Sequence, residues 1–116
     1  MDVDRIIDLD ALVQRLESTA EEWRHSAQVQ PFTWRDAEAH WPRPIVTDRR
    51  SVRAPESLGV RLHRDPDDEL EIVVWTGGWV DIGLLLDGEA MNLYAEFTDV
   101  DGAYAAVARS VEDFLA

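Results

Sequence analysis

Glu71 and Asp81 lie in neighbouring segments of alternating apolar residues, where an antiparallel hairpin brings two carboxylates close enough for general acid/base work. A chain with 24 acidic residues against 11 basic ones juxtaposes such pairs by chance, so this pair does not establish a reaction. His25, His40 and His63 are scattered and lack the i, i+4 spacing that puts two imidazoles on one helix face, so no metal site is expected. Asp65-Pro66-Asp67-Asp68-Glu69 has the oxygen density of a calcium loop but neither its glycine nor its distal bidentate glutamate, and a proline-initiated turn accounts for it. Asp99-Val100-Asp101-Gly102 reads as a helix start. Without cysteine there is no thiolate nucleophile, disulfide or cysteine-ligated zinc, and no nucleophile elbow, P-loop or GxGxxG is present. The expectation is a protein without catalytic residues, metal or cofactor.

Recognition chemistry is better represented. Trp75, Trp79 and Tyr94 fall in phase with Glu71, Asp81 and Glu96 along three strand-like segments, so all six project from one face of a sheet. Aromatic anchors supply area to bury and carboxylates orient a cationic partner, which makes these six the candidate partner-binding residues. Two readings stay open. Either the aromatics remain accessible, or the segment from Pro42 to Pro55, or the turn carrying Trp34 and Trp41, folds over them as a second small core.

Charge narrows the partner. The formal net charge is −13 and every basic residue is arginine, a balance that excludes the phosphates of nucleic acids and anionic membrane surfaces and favours a basic protein. From Asp65 to Asp101 run 11 acids with no lysine or arginine; from Pro42 to Arg64 six arginines face only Asp48 and Glu56. The arginine-rich segment either neutralises the acidic sheet internally or holds an anionic small molecule through Arg49, Arg50 and Arg53. Under either reading the molecule keeps a negative field that speeds encounter with cations and weakens with salt.

These residues need elements to position them. Leu9, Leu12, Val13, Leu16, Ala20 and Trp23 recur at helical spacing, with Asp8 as N-cap, predicting a helix over 9–27 with Arg24 and His25 in its last turn. A short helix is expected at Thr33–Ala39, where Asp36 follows Thr33 as in a capping box and Pro42 stops the helix. A long Arg/Pro-rich connection, about 42–57, follows, with an extended piece at Ile45–Thr47. Four alternating runs, 58–63, 70–75, 79–86 and 91–97, are separated by an acidic turn, Gly77-Gly78 and Asp87-Gly88, and a last amphipathic helix spans 100–115. The fold class is α+β: one domain over 1–116, with a four-stranded antiparallel meander and the N-terminal and C-terminal helices packed on one face. That face takes the even residues from Leu58 to Leu86 and then Met91, Leu93, Ala95 and Phe97. The opening Met1-Asp2-Val3-Asp4-Arg5 is acidic where a secretory signal is basic, and no apolar run approaches the ~20 residues of a membrane span, so the cytoplasm is the expected location.

A short, acidic, cysteine-free chain whose meander carries Trp75-Thr76-Gly77-Gly78-Trp79-Val80-Asp81 before a terminal amphipathic helix resembles the small immunity proteins of bacterial polymorphic toxin systems. The resemblance covers the C-terminal half in layout and composition. It implies a stoichiometric inhibitor that covers the active site of a cognate basic toxin, often a nuclease, with carboxylates and aromatics standing in for phosphates and bases. From another class, a small acidic secretion or assembly chaperone that dimerises around an effector segment has a similar element order. The chain is accordingly expected to be a monomer or a homodimer.

Overall fold

A computed structural model describes residues 7–64 and 67–116, so the Met1 to Arg5 segment and the Asp65-Pro66 part of the acidic turn lie outside the described residues. The elements are α1 (Leu9–Trp23), β1 (Gln28–Val29), β2 (Thr33–Asp36), β3 (Pro55–Arg64), β4 (Asp68–Trp75), β5 (Trp79–Leu86), β6 (Glu89–Glu96) and α2 (Val100–Leu115), with a 3-10 turn at Arg49–Ser51. The fold is α+β, an antiparallel β3-β4-β5-β6 meander flanked by N- and C-terminal helices. Asp8 caps α1 by accepting from the Ala11 N–H, and Asp99 caps α2 by accepting from Gly102. Asp87 and Gly88 both take positive φ, as a two-residue type I′ hairpin turn demands. No helix among the described residues is long and apolar enough to cross a membrane.

Strand register builds the core in rows. Leu58, Val74, Val80 and Ala95 align across the sheet, as do Val60, Ile72, Ile82 and Leu93, and Leu62, Leu70, Leu84 and Met91. Leu12, Leu16 and Ala20 of α1 and Ala103, Val107, Val111 and Phe114 of α2 join them in one continuous apolar cluster. Burial of this kind contributes roughly 1.5–3 kcal/mol per large side chain, which fixes the face of every strand. Coverage is unequal, because α1 rests on β3 and α2 on β4 and β5. Exposure therefore climbs along one row from nil at Val60 and Ile72 to 49% at Leu93, and Met91 in the next row is 52% exposed. The expected burial of Met91 and Leu93 is thus incorrect: α2 stops short of the edge strand.

The expected helix at Thr33–Ala39 is also incorrect. These residues form β2, which pairs antiparallel with β3 and sets Trp34 opposite Leu58, while Trp34 also exchanges both backbone hydrogen bonds with Val46. An N-cap contributes about 0.5–2 kcal/mol, less than burying an indole and completing a ladder along an unpaired strand edge. Asp36 still caps locally, accepting from the Glu38 N–H, but it also accepts from the Arg53 and Ala54 N–H groups and so ties the connection to β2. The extended piece expected at Ile45–Thr47 is the stretch that bridges Trp34. β1 and β2 extend the meander into a six-stranded sheet. Helix α1 ends at Trp23, one turn before the predicted end.

The Arg53 N–H, helped by those of Glu38 and Ala54, holds the Asp36 carboxyl below its usual range, and the Arg49 guanidinium does the same for Asp10. A carboxyl whose folded pKa is depressed contributes stability above its unfolded pKa, near 3.9, that is lost as pH falls through the folded value. Urea unfolding across the acid range should show stability declining below about pH 4, with a shallower decline in Asp36→Asn. An identical slope in that variant would mean the carboxylate is not linked to folding.

Candidate partner-binding face

Alternation sends the other half of each strand outward. The rows on that side are Ser57, Trp75, Trp79 and Glu96; Gly59, Val73, Asp81 and Tyr94; and Arg61, Glu71, Gly83 and Asn92. All six predicted residues share this open face, and four of them form a block on β5 and β6, with Trp79 opposite Glu96 and Asp81 opposite Tyr94. Glu71 stands apart, opposite Gly83 and diagonal to Asp81, so the two carboxylates envisaged as an acid/base pair are not directly opposed.

The aromatics are ordered by stacking. Trp75 and Trp79 lie with ring centroids 5.9 Å apart and planes 17° from parallel, and the Arg35 guanidinium sits 5.2 Å from the Trp75 ring centroid on its other flank. The Trp75 indole donates to Asp81 Oδ2 at 3.0 Å, and the Tyr94 hydroxyl donates to Glu96 Oε1 at 2.7 Å. Both tryptophans are half-buried, Tyr94 is 59% exposed, and Asp81 and Glu96 are exposed. Where Gly83 leaves a gap in the third row, a shallow recess of about 350 Å³ opens beside Glu71, Val73, Asp81 and Asn92. Gly77 also belongs to the site, since a Cβ there would meet the Trp79 ring at 2.2 Å. Sequence reasoning took Gly77 only as part of a turn; the signal was the Trp-x-Gly-Gly-Trp spacing, which packs an indole back over the turn.

The long connection leaves most of this face uncovered. Trp34 and Val52 are buried in the core cluster and Trp41 is 80% exposed; among the described residues of the connection Ile45 reaches the open face, where with Thr33 and Arg35 it lies beside the buried Ser57 and Gly59 of β3. The alternative of a second small core over Trp75 and Trp79 is therefore set aside. Three of the connection's four arginines are engaged elsewhere: Arg49 makes a two-pronged contact with Asp10, Arg43 pairs with Glu56 and Arg50 with Asp48. Arg61 and Arg64 of β3 reach Glu69 and Asp68. Among the described residues, Glu71, Asp81, Asp87, Glu89 and Glu96 make no ion pair, so the β5 and β6 side keeps its negative charge. Of the three anion-binding candidates, Arg49 and Arg50 each already have a carboxylate of their own, whereas Arg53 gives its backbone N–H to Asp36 and its side chain makes no ion pair among the described residues. No three histidine or carboxylate side chains converge to hold a metal among the described residues.

No family model, no curated protein and no solved structure matches the chain.

Two measurements check this geometry. Gly77→Ala should push the Trp79 ring away, change the near-ultraviolet circular dichroism of the indole pair and destabilise the fold by about 1–3 kcal/mol; an unchanged spectrum would contradict the packing. The hydrogen bond to Glu96, with the charges of Glu96 and Asp81, raises the Tyr94 phenol above its ordinary pKa. Spectrophotometric titration in a Tyr104→Phe background should show that rise and its reduction in Glu96→Gln, and equal titration in both would disprove the contact.

Proposed function

We propose that this chain is a non-catalytic, immunity-type inhibitor that acts in the cytoplasm by laying its open sheet face over the basic active-site groove of a toxin domain, a nuclease being one candidate. The observation that carries the reading is the stacked Trp75/Trp79 pair, hydrogen-bonded to a carboxylate without an internal cation and uncovered by the chain's own connection. Rigid aromatics at the centre of a polar rim are the composition of binding hot spots, and the surrounding Glu71, Tyr94 and Glu96 suit a cationic groove. Surplus negative charge raises the rate of encounter more than the final affinity.

Edge strand β6 favours a second reading. Nothing among the described residues pairs with its outer edge, and Met91 and Leu93 stand half exposed beside it, an arrangement that suits addition of an extended segment in the manner of an assembly chaperone. The two readings use different faces of the same strand.

The discriminating experiment uses the full chain as bait at low and moderate salt and compares it with a Trp79→Ala/Asp81→Arg double variant. The expected outcome is a one-to-one complex with a folded basic protein, formed at a salt-sensitive rate, whose affinity drops at least about thirtyfold in the double variant, the loss of a hot spot worth about 2 kcal/mol or more. Unchanged affinity in that variant would defeat the reading. So would recovery of an extended segment held by a homodimer.

A further inference from the structure

Five arginines among the described residues lie over an aromatic ring, and all but Arg35, which stacks on Trp75 and donates to Ser57, are held in one recurring way. Arg15 lies 4.1 Å from the Tyr104 ring centroid and pairs with Asp101; Arg49 lies 5.4 Å from Trp34 and pairs with Asp10. Arg43 sits 5.2 Å from the Trp41 ring and pairs with Glu56, and Arg64 sits 5.1 Å from Phe114 and 3.7 Å from Asp68. Each of these four guanidinium groups thus has an aromatic ring on one side and a carboxylate within ion-pair distance. The pairing follows from guanidinium chemistry, in which a weakly hydrated planar cation stacks on a π face while its edge donates to oxygen.

The β5 and β6 block has the same components without the cation. Trp79 and Tyr94 supply rings, Asp81 and Glu96 supply carboxylates, and the register sets them two by two on one face. Directly opposed residues have Cβ atoms about 4.5–5.5 Å apart, a spacing one side chain can bridge. No arginine among the described residues forms an ion pair with either carboxylate, and the sequence has no basic residue between Arg64 and Arg109. The Trp75 indole and the Tyr94 hydroxyl each donate one hydrogen bond to these carboxylates, which orients them and leaves further acceptor positions open.

We infer that Trp79, Asp81, Tyr94 and Glu96 form a receptor for an arginine side chain supplied by the partner protein. The inference rests on the reading of the open face as the partner-binding surface and specifies the group that surface recognises. Lysine fits less well, since its compact, strongly hydrated ammonium neither stacks nor bridges two carboxylates with a planar fork.

The test titrates the full chain with a short arginine peptide and with a lysine peptide of equal length and charge, following heat and the indole resonance of Trp79. The arginine peptide should bind about tenfold tighter than the lysine peptide and shift that resonance. Asp81→Asn and Glu96→Gln, both at exposed positions, should remove most of the preference. Glu89→Gln, the same charge change on the same strand outside the block, should preserve it. Equal affinity for the two peptides, or an equal loss in Glu89→Gln, would reduce the attraction to net charge and overturn the inference. If the peptides bind equally while the Trp79→Ala/Asp81→Arg variant still loses the folded partner, the binding face stands and only the arginine receptor fails. If arginine is preferred but that variant keeps the partner, the face is not the interface, and both readings fall.

Discussion

Period-two alternation of β3, β4 and β5 under two helices is the constraint on which the remaining structure depends. Leu58, Val60, Leu62, Leu70, Ile72, Val74 and Val80 are all fully or almost fully buried, so each intervening residue must point the other way. Moving β4 by a single residue would exchange Val74 for Trp75, and moving β5 would exchange Val80 for Asp81; either slip loses burial, and the second places a carboxylate in the core. The open face is therefore displayed as firmly as the core is packed. Trp75 and Trp79 are half exposed because their neighbours are not, and a binding surface built this way holds its anchors in place before a partner arrives.

The two edges of the sheet are treated differently. On the β3 side, β1, β2 and the long connection cover the edge, fastened by three N–H groups on Asp36 and by the fork of Arg49 on Asp10. On the β6 side nothing among the described residues pairs with the strand, and α2 leaves Met91 and Leu93 half exposed. Charge follows the same division. Exposed ion pairs are individually worth about 0–1 kcal/mol, so the arginines add little stability singly. Their consequence is spatial: by pairing on the α1 and β3 side they leave the acids of β5 and β6 uncompensated, and the molecule is negatively polarised toward its open edge. Screening over about 10 Å at 0.1 M salt makes that polarity a short-range guide to docking.

The four strands of the meander, both long helices and their caps were legible in the sequence because each rests on local rules: alternation, i, i+4 periodicity, Asp8 and Asp99 at helix starts, Asp87-Gly88 at a turn requiring positive φ. The shared face of Glu71, Trp75, Trp79, Asp81, Tyr94 and Glu96 was legible for the same reason, since parity along a strand sets the side. Local reasoning failed at Thr33–Asp36, where a capping-box spacing coexisted with a strand whose partner lay more than twenty residues away. It failed again at Met91 and Leu93, whose apolar alternation is indistinguishable from that of a covered strand.

By itself the sequence determined which residues alternate, where the chain turns and how strongly acidic the molecule is, because these depend on neighbours within a few positions and on composition. Only the tertiary structure decided that Trp34 enters the core while Trp75 and Trp79 remain partly exposed, that the arginines are taken up on one side, and that α2 ends short of β6. Those outcomes turn on which surfaces compete for the same helix or the same strand edge, and that competition is settled by packing between segments far apart in the chain.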